Sequence, residues 1–263
     1  MDKIGLEKIK DGSNNQIVIF MHGFNFNDSD KKKFLENYKN ALERVRFKGA
    51  VYELTWKSGS RINPLIRSAL YLLTLLKRNP KTLIPAYIFS YIINKCVLNH
   101  FDFKKADHRA KNYYPPKLFD YIAKNLGNQL EKKKVFLIGH SLGTVLIFEA
   151  LEYFLRTGKK INFMIEDVFF LGSAINSKKR ELVQGHLDFI QGRLFNFYSK
   201  KDMVLKYLRW KDDPYGLSPI EFPSEKIVNI ENVNGHTQYL KKDNLKNLLR
   251  KKNVKRVTSL EFY

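Results

Sequence analysis

Residues 135–143 read Val-Phe-Leu-Ile-Gly-His-Ser-Leu-Gly, four apolar residues typical of a buried strand that lead directly into a G-x-S-x-G sequence. Apolar residues at helical spacing follow at Val145, Leu146, Phe148, Leu151 and Phe154. A strand, a serine flanked by glycines and a helix together indicate a nucleophile elbow. The glycines leave space for the tight turn, and the helix N-terminus favours negative charge that develops beside the serine. Ser141 is therefore predicted to be a nucleophile.

Short apolar runs elsewhere in the chain predict the rest of a sheet. Runs rich in β-branched and aromatic residues lie at 16–21, 50–54, 168–171, 194–198 and 227–230. Helical patterns separate them, including one over about residues 31–45, and this alternation is typical of a mostly parallel sheet with helices on both faces. With the elbow directly after an apolar strand, the prediction is a single domain of the α/β-hydrolase fold over residues 1–263.

A serine hydroxyl needs a base, and the chain contains six histidines from which to supply it. In this fold the catalytic residues follow in the order serine, acid, histidine. His236 comes just after the last predicted strand and is the predicted base, and Asp202 follows the strand at 194–198 and is the predicted acid that orients it. Asp167 is the rejected alternative, because it precedes its predicted strand at the other end of the sheet. The competing interpretation is a surface histidine and a solvated turn aspartate.

Acyl transfer also requires N–H donors for the oxyanion of the tetrahedral intermediate. The predicted donors are the backbone N–H groups of Leu142, directly after the serine, and of Phe24, in the loop after the first strand of the predicted set. Gly23 allows this loop to approach the substrate closely. His22 is expected to order the loop, and His140 to pack inside the elbow. Such a site needs no metal ion and no organic cofactor.

The downstream half of the chain resembles a family of α/β hydrolases that is grouped as a domain of unknown function and typified by the eukaryotic transmembrane and coiled-coil domain proteins. The matching stretches are residues 137–143, 165–172, 192–202, 216–217, 230–233, 235–236 and Tyr239. The resemblance implies catalytic roles for Ser141, Asp202 and His236, and a lipase-like or esterase-like activity. The chain departs from the family by being far shorter than the eukaryotic members and by lacking a full membrane span.

Residues 59–110 interrupt the alternation of strands and helices and predict a helical cap. Two apolar stretches lie within them, at 64–77 and 82–98, and the chain carries no charge between Lys81 and Lys95. This run is too short to cross a bilayer. Two interpretations stay open: a lid over the active site that meets lipid, and a helix pair that packs as ordinary core or as a dimer contact.

The composition bears on partners and location. The net charge is +21, and the lysines that produce it are spread along the whole chain without a nucleic-acid-binding motif. The charge is interpreted either as a general lysine bias on solvated faces or as attraction to an anionic membrane surface. A single cysteine favours a reducing compartment, and the N-terminus lacks the pattern of a secretory signal. The expectation is a cytoplasmic protein without a nucleic-acid partner, with peripheral membrane contact left open.

Together these patterns predict one function and one alternative. The function is hydrolysis of a carboxylic ester, lipid-like or otherwise apolar, by a Ser-His-Asp mechanism with an acyl-enzyme on Ser141. The alternative is a catalytically weak module of the same fold that binds a membrane or a protein partner. Nothing in the three catalytic residues indicates loss of activity, which favours the enzyme. The oligomeric state is not predicted.

Overall fold

The computed structural model describes residues 4–24, 36, 39–40, 43, 46–58, 99–207, 213–231, 235–236 and 239. Its strands are β1 (Gly5–Lys10), β2 (Gln16–Met21), β3 (Ala50–Thr55), β4 (Lys134–His140), β5 (Ile165–Leu171), β6 (Leu194–Tyr198) and β7 (Ile227–Glu231). Within these residues they form one sheet of seven strands in the order β1-β3-β2-β4-β5-β6-β7.

The sheet is parallel except at one edge. From β3 through β2, β4, β5 and β6 to β7, every neighbouring pair is parallel. β1 pairs antiparallel with β3, with Gly5 opposite Thr55. The predicted mostly parallel sheet is confirmed, and β1 is an addition to it. β1 was not predicted because its sequence Gly-Leu-Glu-Lys-Ile-Lys belongs to a half-exposed edge strand and contains no long apolar run.

Both faces of the sheet are buried, as the nearly continuous apolar runs of its central strands require. Ile19 and Leu137, on neighbouring strands, pack in the main core together with the helices. On the opposite face, Phe169 and Phe195 are also buried and stack with their ring centroids 4.7 Å apart. The central strands therefore contribute apolar side chains in both directions, and their backbone is held in place from both sides.

The described helices are α1 (Asn99–His108), α2 (Pro115–Leu126), α3 (Leu142–Thr157), α4 (Arg180–Leu187) and α5 (Met203–Tyr207), with shorter turns at Arg109–Tyr113, Gly127–Leu130 and Ser177–Lys179. α2 opens with two prolines, which suit a first helical turn, and buries one apolar stripe. α3 starts at the elbow and ends at Gly158 in the left-handed conformation. It packs against β4, α2 and α4, which explains its high apolar content. The predicted helix over 31–45 lies mostly outside the described residues, and its four described positions are helical.

The predicted cap insert, residues 59–110, falls only partly on described residues. Residues 59–98, with both apolar stretches of the predicted lid, lie outside them. The remaining part forms α1 and the start of the following turn, and its residues Phe103 and Ala106 pack into the main core. In the part of the chain that the structure describes, no helix is long and apolar enough to cross a membrane. The lid and the division of the chain into domain and insert stay predictions.

Candidate active site

The residues singled out in the sequence meet at the carboxyl edge of the parallel strands. Gly23 follows β2, Ser141 follows β4, Asp202 follows β6 and His236 follows β7. Parallel strands deliver the loops after their carboxyl ends to the same edge of the sheet, which is where open α/β sheets bind their ligands. Residues far apart in the sequence therefore become neighbours.

The elbow has the backbone conformation that its glycines imply. Ser141 has φ 53° and ψ −119°, a conformation that costs a residue with a side chain about 1–3 kcal/mol. A Cβ atom on Gly139 would come within 2.8 Å of the backbone of Thr144. One on Gly143 would come within 2.1 Å of the carbonyl oxygen of Met21. Both glycines are required because the turn presses the chain against its own backbone and against β2.

We expect Gly143→Ala to destabilise the fold by about 2 kcal/mol, because a methyl group in a closed space forces backbone to move. The neighbouring atom is a main-chain oxygen of β2, which cannot swing away as a flexible side chain can. Chemical denaturation followed by tryptophan fluorescence measures the change. Gly235→Ala is the matched control, since a Cβ atom there meets nothing within 4 Å. Equal stabilities of the two variants would contradict the steric explanation.

Asp202 and His236 form a buried pair. Nδ1 of His236 lies 2.8 Å from Oδ2 of Asp202, and the other carboxylate oxygen accepts the N–H of Leu205 at 3.0 Å. The aspartate side chain is fully buried, and 8% of the histidine side chain is exposed. Because the carboxylate can only accept, Nδ1 of His236 carries the ring proton and donates it. Nε2 of the neutral ring is then unprotonated, which is the tautomer that a general base needs. Asp202 also caps the start of α5, so both its oxygens have fixed partners.

Gly172 lies against this pair, although no role for it was predicted. It follows β5 directly and has φ 54°. A Cβ atom there would lie 3.3 Å from Nδ1 of His236 and 3.4 Å from Oδ2 of Asp202. The backbone thus approaches the pair closely and in a conformation suited to glycine. The available signal in the sequence was a glycine directly after an apolar strand, close to the place that Gly23 occupies two residues after β2.

His140 links the elbow to the loop that carries the predicted base. Its Nε2 lies 3.1 Å from the backbone carbonyl oxygen of His236, and the two ring centroids are 4.7 Å apart. Because a carbonyl oxygen only accepts, Nε2 of His140 carries a proton and donates it. Burial, and after it the neighbouring His236, hold the pKa of His140 well below its usual range. His140 is therefore neutral near pH 7 and fastens the His236 loop, which goes beyond the packing role expected of it.

The first loop lies directly beside the predicted nucleophile. A Cβ atom on Gly23 would come within 2.8 Å of Cβ of Ser141. His22 stacks on Trp56 with ring centroids 5.8 Å apart, and its carbonyl oxygen accepts Nε1–H of Trp56 at 3.1 Å. Phe24 packs edge-to-face against a phenylalanine of α1. These contacts are of the kind expected for a loop-ordering His22. The donor roles of Phe24 and Leu142 stay predictions.

Asp167 lies inside β5, so the prediction that it precedes its strand was wrong. The strand begins at Ile165, two residues before Asp167. Its start was missed because the polar pair Glu166-Asp167 precedes the apolar run from which the strand was predicted. Oδ1 of Asp167 accepts the backbone N–H of Arg193 at 2.7 Å. The carboxylate thus serves the connection into β6 at the amino end of the sheet, and the structure does not bring it to Ser141.

Comparison with known proteins adds a family. The sequence matches the family model described as "Protein of unknown function (DUF726)" over residues 117–255, more than half of the chain. No curated protein matches the sequence significantly.

Similar solved structures are acyl-protein thioesterase 2 of Zea mays, mouse alpha/beta hydrolase domain-containing protein 10 and a serine hydrolase without lid from Xanthomonas campestris. The thioesterase is 11% identical with TM-score 0.46, covering 95% of this chain and 98% of that one. The mouse protein is 10% identical with TM-score 0.44, covering 95% and 92%. The bacterial hydrolase is 10% identical with TM-score 0.44, covering 98% and 90%. The family match spans the elbow, Asp202 and His236. The chain therefore belongs to the DUF726 family, and its sheet, with the elbow between β4 and α3, has the α/β-hydrolase fold.

Proposed function

We propose that the chain is a serine hydrolase that cleaves carboxylic esters with an apolar acyl chain. The observation that carries the proposal is the buried pair of His236 and Asp202, 2.8 Å apart, at the same sheet edge as Ser141. Ser141 sits in a strained backbone conformation, and buried ionisable pairs and strained residues both tend to lie at functional sites. A purely structural role would explain neither the strain at Ser141 nor its position at the same sheet edge as the pair.

The proposed reaction proceeds in two steps. Oγ of Ser141 attacks the ester carbonyl carbon while Nε2 of His236 takes the hydroxyl proton, and Asp202 stabilises the resulting imidazolium. The N–H groups of Leu142 and Phe24 donate to the oxyanion. The tetrahedral intermediate collapses to the acyl-enzyme, and His236 gives its proton to the departing alcohol. His236 then deprotonates a water molecule that attacks the acyl-enzyme, and it passes that proton to Oγ of Ser141 as the carboxylic acid leaves.

The surroundings of the first loop support an apolar substrate. Trp56 stacks on His22 and meets Tyr114 edge-to-face at 5.7 Å, and Phe24 packs on Phe103. Trp56, Tyr114 and Phe103 are buried in the main core, so they give the first loop an apolar setting, which suits a substrate with an acyl chain. Peripheral contact with an anionic membrane stays a prediction that rests on the net charge of +21 and on the apolar stretches within residues 59–98.

A fluorophosphonate and a series of p-nitrophenyl esters test the proposal. We expect the native chain to gain the mass of one adduct, because the reagent modifies activated serines, and heat-denatured chain serves as the control that gains none. We expect kcat/KM to rise with acyl length by up to about fourfold per methylene until the binding site is filled, which corresponds to about 0.8 kcal/mol per buried CH₂.

A native chain that neither gains the adduct nor hydrolyses any of these esters would contradict the proposal. It would favour the alternative of a non-catalytic module. Hydrolysis with no preference for longer acyl chains would contradict the apolar substrate while leaving the serine mechanism in place.

A further inference from the structure

The peptide that joins Ser141 to Leu142 decides how well the proposed oxyanion donor can work. The carbonyl group of Ser141 and the N–H group of Leu142 belong to one planar trans peptide unit, so they point in opposite directions. A group that holds the carbonyl oxygen of Ser141 in one direction therefore also aims the N–H of Leu142 in the other.

Thr144 holds that carbonyl oxygen twice. Its Oγ1 donates to the oxygen at 2.6 Å, and its backbone N–H donates to the same oxygen at 3.0 Å. The residue is fully buried. The single hydroxyl proton is committed to Ser141, because a carbonyl oxygen can only accept. A threonine hydroxyl in a helix commonly bonds to a carbonyl three or four residues earlier, and here that carbonyl belongs to the predicted nucleophile.

Ser173, in the loop after β5, holds Thr144 in turn. Its Oγ lies 3.1 Å from Oγ1 of Thr144, and it is the donor because the proton of Thr144 is already used. The N–H of Ala174 also donates to Oγ1 of Thr144, at 3.2 Å, and the N–H of Ile175 donates to Oγ of Ser173 at 3.3 Å. In a buried setting, linked hydrogen bonds polarise one another. The chain of donors therefore draws electron density toward the carbonyl oxygen of Ser141.

Polarisation of this carbonyl also affects the other end of the peptide. Electron withdrawal through the amide resonance makes the N–H of Leu142 a stronger donor. The same network ends beside Gly172, whose backbone lies against His236 and Asp202. The hydroxyl groups of Thr144 and Ser173 thus connect the peptide of the predicted nucleophile with the loop after β5, which lies against the pair of His236 and Asp202.

We propose that Thr144, held by Ser173, is a positioning residue that orients and strengthens the Leu142 N–H donor of the oxyanion hole. This inference rests on the proposed function and adds to it a residue that touches neither substrate nor reacting atoms. The stabilisation that the Leu142 N–H provides is confined to the transition state, because the oxyanion exists there and not in the bound ester. Its loss therefore lowers kcat and leaves KM nearly unchanged.

Two substitutions at residue 144 test the hydroxyl separately from the shape of the side chain. Thr144→Val removes the hydroxyl at nearly constant volume, and Thr144→Ser keeps it. We expect Thr144→Val to lower kcat about tenfold to a hundredfold with KM within about twofold of wild type, a smaller loss than removing a whole oxyanion donor. Thr144→Ser should stay within about threefold. An alkyl boronic acid, which forms a tetrahedral adduct with serine, should lose affinity for Thr144→Val by a factor similar to the fall in kcat.

Thr157→Val is the matched control, because the hydroxyl of Thr157 makes the same type of bond on the same helix, to the carbonyl of Tyr153 at 2.8 Å, but on an exposed surface. Its kcat should equal that of wild type. If thermal unfolding shows that Thr144→Val does not fold, Ser173→Ala decides instead, since it keeps the threonine and removes its donor. A fall in kcat with unchanged KM then supports the inference, and an unchanged kcat contradicts it.

Three results would overturn the inference. Thr144→Val with wild-type kcat would do so, as would equal losses in Thr144→Val and Thr144→Ser, or a rise in KM at constant kcat. In each case an active wild-type chain shows that this inference alone has failed. A wild-type chain that neither hydrolyses esters nor binds the boronic acid contradicts the proposed function, and this inference with it.

Discussion

Replacing Ser141 by alanine is expected to abolish labelling by a fluorophosphonate and to lower kcat for ester hydrolysis by roughly 10⁵- to 10⁶-fold. Without the hydroxyl no acyl-enzyme forms, and only the weak rate enhancement from substrate binding and oxyanion donors persists. Alanine removes a single oxygen atom and fills no new space. The strained conformation of the elbow should therefore be kept, and the stability of the variant should stay near that of wild type.

Ser224→Ala provides the matched control for this loss. Ser224 precedes β7 at the opposite edge of the sheet, and its hydroxyl accepts the N–H of Lys226 at 3.2 Å. Intact mass after labelling and steady-state kinetics should show this variant unchanged in activity. A full adduct on Ser141→Ala would mean that the nucleophile is another residue.

Asp202→Asn is expected to give the second largest effect, a fall in kcat of about 10⁴-fold. The amide keeps one accepting oxygen where the carboxylate has two, and the N–H of Leu205 lies 3.0 Å from one of them. With its oxygen facing Leu205, the amide presents its NH₂ group to Nδ1 of His236. Nδ1 must then accept, the ring proton moves to Nε2, and the base can no longer take the proton of Ser141.

Asp167→Asn is the control for this substitution. The residue is as deeply buried as Asp202, and its Oδ1 accepts the N–H of Arg193. An asparagine oxygen can still accept that bond, so the rate should stay within about tenfold of wild type. The rate of fluorophosphonate labelling measures the reactivity of Ser141 in both variants, even where turnover is too slow to measure. A larger loss in Asp167→Asn than in Asp202→Asn would remove Asp202 from its proposed role.

Local pattern was sufficient for the parts of the molecule in which neighbouring residues decide the structure. The central strands are buried on both faces, so their runs of apolar residues stand out, as in residues 16–21 and 194–198. The elbow could also be recognised locally, because its two glycines and the strand and helix beside them are consecutive in the sequence, although Gly143 is required by its close approach to β2. The order of serine, acid and histidine, together with strand ends, was enough to select Asp202 and His236, which the structure places in hydrogen-bond contact. Their catalytic roles stay predictions.

Tertiary structure alone decided the features that depend on contacts between distant segments. β1 is held as a strand by its pairing with β3, since its own side chains alternate too weakly to indicate one. Gly172 matters because His236, 64 positions later in the sequence, folds back against its backbone. The bond from His140, at the end of β4, to the carbonyl of His236 and the bond from Ser173 to Thr144, in α3, each join a loop to a distant strand or helix. Hydrogen bonds of this kind leave no periodic trace in a sequence, because their geometry exists only after the strands have brought the loops to one edge of the sheet.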